Sequence, residues 1–152
     1  NLLMVKLKNK KPLEIVSKSA ARVAAVQILY NLLSSKKSID QVFYDYMSSF
    51  KQDLENQFDI ENLDNEYLEN IISKFDKNYE LIISNYLTKN WSLQRISNVD
   101  KAILISGIIE LKQNLNLSKK IIISEYIEIA SQMGGEAKFV NKVLDKFSKN
   151  SS

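Results

Sequence analysis

A chain of 152 residues with one proline and three glycines has few places at which to turn sharply. A β-sandwich or barrel of this length strings many short strands through Gly- and Pro-rich turns, and that turn chemistry is missing here. Hydrophobic residues make up 45% of the chain and recur at helical spacing, so the expected class is all-α. The size suits one compact domain, or two small sub-bundles sharing a core.

The sequence has no cysteine and no histidine. Disulfides, thiolate nucleophiles, the usual zinc sites and histidine general bases are thereby removed together. Lack of cysteine suits a reducing cytoplasm, which is the expected location. No apolar stretch approaches the roughly 18 residues that span a bilayer. The opening NLLMVKLKNKK is too short in apolar residues for a signal peptide, and its lysines follow that stretch instead of preceding it.

Charge is unevenly spread. Lys6, Lys8, Lys10, Lys11, Lys18 and Arg22 face only Glu14 within the first 22 residues, whereas the rest of the chain is close to neutral. A basic arm on a near-neutral body is a common footprint of phosphate binding, although composition alone favours a solubilising tail. The expected organisation is a flexible basic arm over residues 1–16, one helical domain over 17–148 and a disordered tail over 149–152.

Along the chain, Ser17 or Ser19 is placed to cap a first helix running to about Ser35. That helix is apolar nearly all round, as expected of one buried on both flanks between two groups of helices. Ser38 and Gln41 form a capping-box pattern ahead of Val42, Phe43, Tyr46 and Phe50. Residues 51–63 read as a polar loop. Asp64 then caps a long amphipathic segment, with a break near Asn78, and a connector buries Trp91, Leu93 and Ile96. Ser97 caps the most apolar helix, where Gly107 implies close approach of a neighbour, since mid-helix glycine costs about 1 kcal/mol relative to alanine. Ser118 caps the next helix, which continues through Ile121–Ile123 and stops at Gly134–Gly135. The last helix buries Phe139, Val140, Val143, Leu144 and Phe147.

Catalytic chemistry finds no foothold. There is no Gly-rich phosphate loop, no serine has a recognisable base, and no cofactor or metal is expected. Glu125 and Glu128 stand three residues apart, but a bundle-core metal site of that kind needs histidines, so they read as exposed structural residues. Binding is better supported. Lys18 and Arg22 flank a helix N-terminus, where free N–H groups favour a phosphate. Lys138 and Lys142 add a second basic edge if the last helix packs beside the first. Phe139 or Tyr126 offers a ring on which an unpaired base can stack, although Phe139 reads equally well as core.

The blocks ARVAAVQILY, VDKAILISGIIEL, IIISEYIEIA and KFVNKVLDK, in this order and spacing over residues 17–148, resemble the NusB family of bacterial transcription antitermination factors. The resemblance implies two three-helix sub-bundles sharing a long buried first helix. It also implies a non-enzymatic role: pairing with ribosomal protein NusE, binding the boxA element of ribosomal RNA leader transcripts, and helping RNA polymerase read through terminators. Carried over residue by residue, Lys18, Ser19 and Arg22 fall at the RNA-facing start of the first helix. Lys138, Phe139, Asn141 and Lys142 fall at the RNA-facing end of the last, and Tyr30 and Asp100 fall where relatives meet NusE. Ser19 and Ala20 stand at two positions where many relatives are basic, Ile105 replaces a frequent arginine, and Met133 a frequent aromatic. Two alternatives stay open: a NusB-type module of a ribosomal RNA methyltransferase, and an interaction bundle that has lost RNA binding.

Overall fold

The computed structural model describes residues 11–88, 91–113 and 117–150, and among these every regular element is helical. Helix α1 spans Leu13–Ser34. A continuous rod follows, made of α2 (Ile39–Asp45), a π-helical turn (Tyr46–Phe50) and α3 (Lys51–Phe58). Next come α4 (Asn65–Ser73), α5 (Asn78–Ser84) and a 3-10 turn at Leu93–Arg95. The chain closes with α6 (Asn98–Gln113), α7 (Lys119–Met133) and α8 (Ala137–Asn150).

Helix α1 packs on α2, α3 and α4 on one side and on α6 and α7 on the other, the central placement its all-round apolar surface requires. It runs antiparallel to α6: Asn98 reaches Ser34 at one end, and Glu110 holds Arg22 near the other. Helix α6 is more deeply buried still, with every residue from Ala102 to Leu111 inside. Gly107 lies where α7 and α8 press on it. A Cβ there would meet both terminal methyls of Leu144 at 3.0 Å and the Tyr126 ring at 3.5 Å. Helix α8 packs on α7 and α6.

The capping assignments at Ser38, Asp64 and Ser118 hold. Each side chain accepts from a backbone N–H three residues on, and Gln41 closes the capping box. Gly134 ends α7 in the left-handed region at φ 76°, and the break ahead of Asn78 falls between α4 and α5.

Four expectations are corrected. The first helix begins at Leu13, capped by Pro12, so residues 13–16 are ordered and neither Ser17 nor Ser19 is its cap. Residues 51–58 are helix: Leu54 and Phe58, one turn apart, supply a narrow apolar edge. The buried Glu55 carboxylate also takes Lys51 at 2.7 Å and the Leu63 N–H at 2.8 Å. Trp91 is 42% exposed and Leu93 half-buried; of the three residues expected inside, Ile96 alone is buried. Residues 149–150 belong to α8, while residues 1–10 of the basic arm and 151–152 of the tail lie outside the described residues.

Candidate nucleic-acid interface

Lys18 and Arg22 occupy the second and third turns of α1, not its N-terminus, so the free N–H groups of a helix start are not beside them. Lys18 is half-exposed, pairs with Glu14 at 3.2 Å and lies 5.6 Å over the Tyr67 ring. Arg22 is 2% exposed. Its Nε lies 2.9 Å from both oxygens of Glu110, and its Nη2 donates to Glu110 Oε1 at 2.7 Å and to the Tyr67 hydroxyl at 3.1 Å. Nη1 donates to Glu125 at 2.8 Å. Tyr67 donates to Glu110 Oε1 and Tyr126 to Oε2, the latter at 2.7 Å. Because the Tyr126 proton is used on Glu110, Ser106 donates to the Tyr126 oxygen, also at 2.7 Å. Ser19 closes the cluster, donating to Glu125 at 2.5 Å.

These contacts correct the placement of Arg22 on an RNA-facing surface, while Ser19 is half-buried at the edge of the cluster, as Lys18 is. The guanidinium is spent inside, pinning α1 to α6 and α7, and the Ser19 hydroxyl turns toward α7. Ala20 is fully buried as well. Glu125 is half-buried and ion-paired, while Glu128 is exposed and accepts from Gln132. Tyr126 is fully buried and offers no face to a base.

Burial disfavours charge on Arg22, but the Glu110 carboxylate outweighs it and holds the guanidinium above its ordinary range. Burial, reinforced by Glu110, pushes the Tyr126 phenol well above its usual value, and burial with Glu55 does the same to Tyr46. A raised folded-state pKa stabilises the fold fully below the unfolded value, about 10 for tyrosine, and that contribution is lost as pH climbs above it. The unfolding free energy from urea titrations is therefore expected to hold up to about pH 10, then fall by up to about 1.4 kcal/mol per pH unit for each such tyrosine. The Tyr46 hydroxyl has no hydrogen-bond partner, so Tyr46→Phe should not lower stability at neutral pH and should soften the alkaline loss. A loss above about 1 kcal/mol at neutral pH would mean the hydroxyl is satisfied after all.

The other candidates lie toward the opposite end of the bundle. Asp100 is 4% exposed; its carboxylate meets the Ser97 hydroxyl at 3.2 Å and accepts the Glu136 N–H at 2.9 Å. This corrects its reading as a partner-facing acid, because both oxygens are used to tie the start of α6 to the turn before α8. Tyr30, on α1 near the same end, is 37% exposed. On α8, Lys138, Asn141 and Lys142 are exposed and Phe139 is half-buried. Trp91, which the sequence reading placed inside, stacks on Phe139 with ring centroids 4.8 Å apart and planes at 28°. Its polar neighbours in KNWSLQ were the available signal. The condition that α8 line up along α1 is not met, since its packing partners are α6 and α7. Glu110, beside Arg22, is ten residues along α6 from Asp100, about 15 Å at the helical rise. Lys18 and the Phe139 group are therefore separate patches at two levels of the bundle.

Among the described residues no group of three or more His, Cys, Asp or Glu side chains is placed to hold a metal ion, and no helix is long and apolar enough to cross a membrane. What the fold defines is an all-helical scaffold with a buried polar cluster inside an apolar core and binding-type side chains on its surface. A sequence model described as the NusB family matches residues 19–149. The chain belongs to that family. It is similar to the transcription antitermination protein NusB of Borreliella burgdorferi, 39% identical with 85% of this chain and 92% of the relative covered. The NusB proteins of Edwardsiella ictaluri and Methylacidiphilum infernorum are 34% and 32% identical, covering 83% and 90% of this chain and 87% and 94% of their own lengths.

Proposed function

We propose that the chain is a cytoplasmic transcription antitermination factor that binds boxA-type single-stranded RNA together with ribosomal protein NusE and promotes read-through in ribosomal RNA transcription. The observation that carries this reading is the family match across the whole folded bundle, residues 19–149. The surface agrees with it: Lys138 and Lys142 stand exposed on α8 beside Phe139, Asn141 is exposed on the same helix, and Lys18 is half-exposed on α1. Extended single strands track separated basic patches of this kind. Tyr30 is the exposed residue proposed for the NusE contact.

Fluorescence anisotropy of a labelled boxA-type RNA, with and without NusE and at two salt concentrations, tests this. Salt-sensitive binding strengthened by NusE is expected. Replacing Lys138 and Lys142 by alanine should weaken binding irrespective of sequence and reduce the salt slope by about 1.4, at about 0.7 per neutralised phosphate on a single strand. Tyr30→Asp should weaken NusE binding and spare RNA binding. The second reading, an interaction bundle without RNA, draws on the interior position of Arg22 and Ala20; NusE binding with no RNA binding in either salt would establish it.

A further inference from the structure

We infer that Trp91 is a base-stacking residue: the Trp91–Phe139 pair forms a single aromatic platform that holds one unpaired base of a single-stranded nucleic acid. The inference rests on the RNA-binding reading and adds a residue and a contact to it. Phe139 packs on the core from α8 and carries Trp91 against one ring face, 4.8 Å away and nearly parallel. What Phe139 leaves uncovered is open to solvent, at 42% of the residue's surface. An indole held in place by a ring behind it has already lost its rotamer freedom, so an incoming base finds a π-face at little further entropic cost.

The chemistry around the platform selects the occupant. Lys138 and Lys142 flank Phe139 on α8, both exposed, against one neighbouring carboxylate in the sequence, the exposed Glu136. Asn141, two residues on, is exposed round the helix from Phe139 and does not border the platform. Arg95, exposed in the 3-10 turn after Trp91, adds a further cation from the connector. An aromatic platform bordered by cations fits a base with its phosphates, because stacking tolerates any base while the cations take the backbone.

The chain contains one tryptophan, so indole emission reports on this site alone. Titration with the boxA-type RNA, followed by anisotropy of the labelled strand and by Trp91 emission together, should show quenching that saturates with binding. A strand of the same length carrying abasic positions throughout should bind through its phosphates with little quenching. Trp91→Leu should weaken RNA binding about ten-fold, within the range for loss of one stacked base, and leave the salt slope unchanged. Trp91→Phe should keep most of the affinity, and thermal melts establish that both variants are folded. If RNA binds with unquenched emission and Trp91→Leu binds as tightly as the parent protein, the platform is overturned while the RNA reading stands. Emission that responds to NusE and not to RNA overturns it too, by assigning the ring to a protein contact. If no RNA binds at all, platform and RNA reading fall together.

Discussion

Arg22→Ala should lower the unfolding free energy by about 3–5 kcal/mol, the loss typical when one partner of a buried ion pair is removed. Against the 5–15 kcal/mol usual for a domain, this brings the protein close to unfolding. The reason lies in what remains. Glu110 stays buried with its side chain 3% exposed and loses its only cation among the described residues, and Glu125 loses its ion pair and keeps only the Ser19 hydroxyl as a link to α1. Two tyrosine hydroxyls stay on Glu110, but neither carries a compensating charge. Arg22→Lys should recover only part of the loss, because an ammonium cannot present the planar fork that reaches Glu110, Glu125 and Tyr67 at once. In a double-mutant cycle, Arg22→Met with Glu110→Gln should be less harmful than the sum of the single changes, with a coupling of about 1–3 kcal/mol. Urea unfolding followed by circular dichroism reads every variant against the parent protein. A loss below about 1 kcal/mol for Arg22→Ala would show a solvent-screened side chain and return Arg22 to the surface.

That network also marks where sequence reasoning reached its limit. Helices, caps and the break before α5 follow from local rules: the Ser38–Gln41 box, Asp64, Ser118 and the Gly134 stop each act within four residues. Trp91, Arg22 and Asp100 were misplaced because their environments are made by elements far away in the chain. Arg22 meets Glu110 across 88 residues and Glu125 across 103. A signal existed nonetheless. Only two of the 21 basic residues are arginine, and one of them sits in the middle of an apolar helix, where a bidentate interior partner is the physical reason to prefer Arg over Lys. Glu110, the acid within the most apolar helix, was its visible counterpart. Residues 51–58 failed differently: their apolar face is only Leu54 and Phe58, too narrow for periodicity to register, and the helix is held by Glu55 bonding to Leu63. The family resemblance placed the candidate site residues by position along the chain and carried no information on burial, so Lys138, Asn141 and Lys142 emerged exposed while Arg22 and Asp100 did not.

Asp100 supplies the second large effect, because one carboxylate joins two helix starts. A Cβ at Gly135 would lie 2.6 Å from Asp100 Oδ1, the oxygen that accepts the Glu136 N–H. Gly135→Ala must therefore push the carboxylate away or open the turn, with an expected loss of about 1–3 kcal/mol. Gly134→Ala meets no atom within 4 Å and should lose only about 1 kcal/mol, through its positive φ. Asp100→Ala removes the acceptor altogether and should match Gly135→Ala, while Asp100→Asn keeps a carbonyl oxygen in place and should stay close to the parent protein. The turn sets where α8 begins, and hence where Phe139 and Asn141 stand, so Gly135→Ala and Asp100→Ala should also weaken RNA binding under conditions where both remain folded. Asp100→Asn separates the two roles open to this residue. If it folds normally and keeps its NusE affinity, the carboxylate acts only by holding the turn. If it folds normally but loses NusE affinity, the charge itself reaches the partner, and its interior placement is wrong.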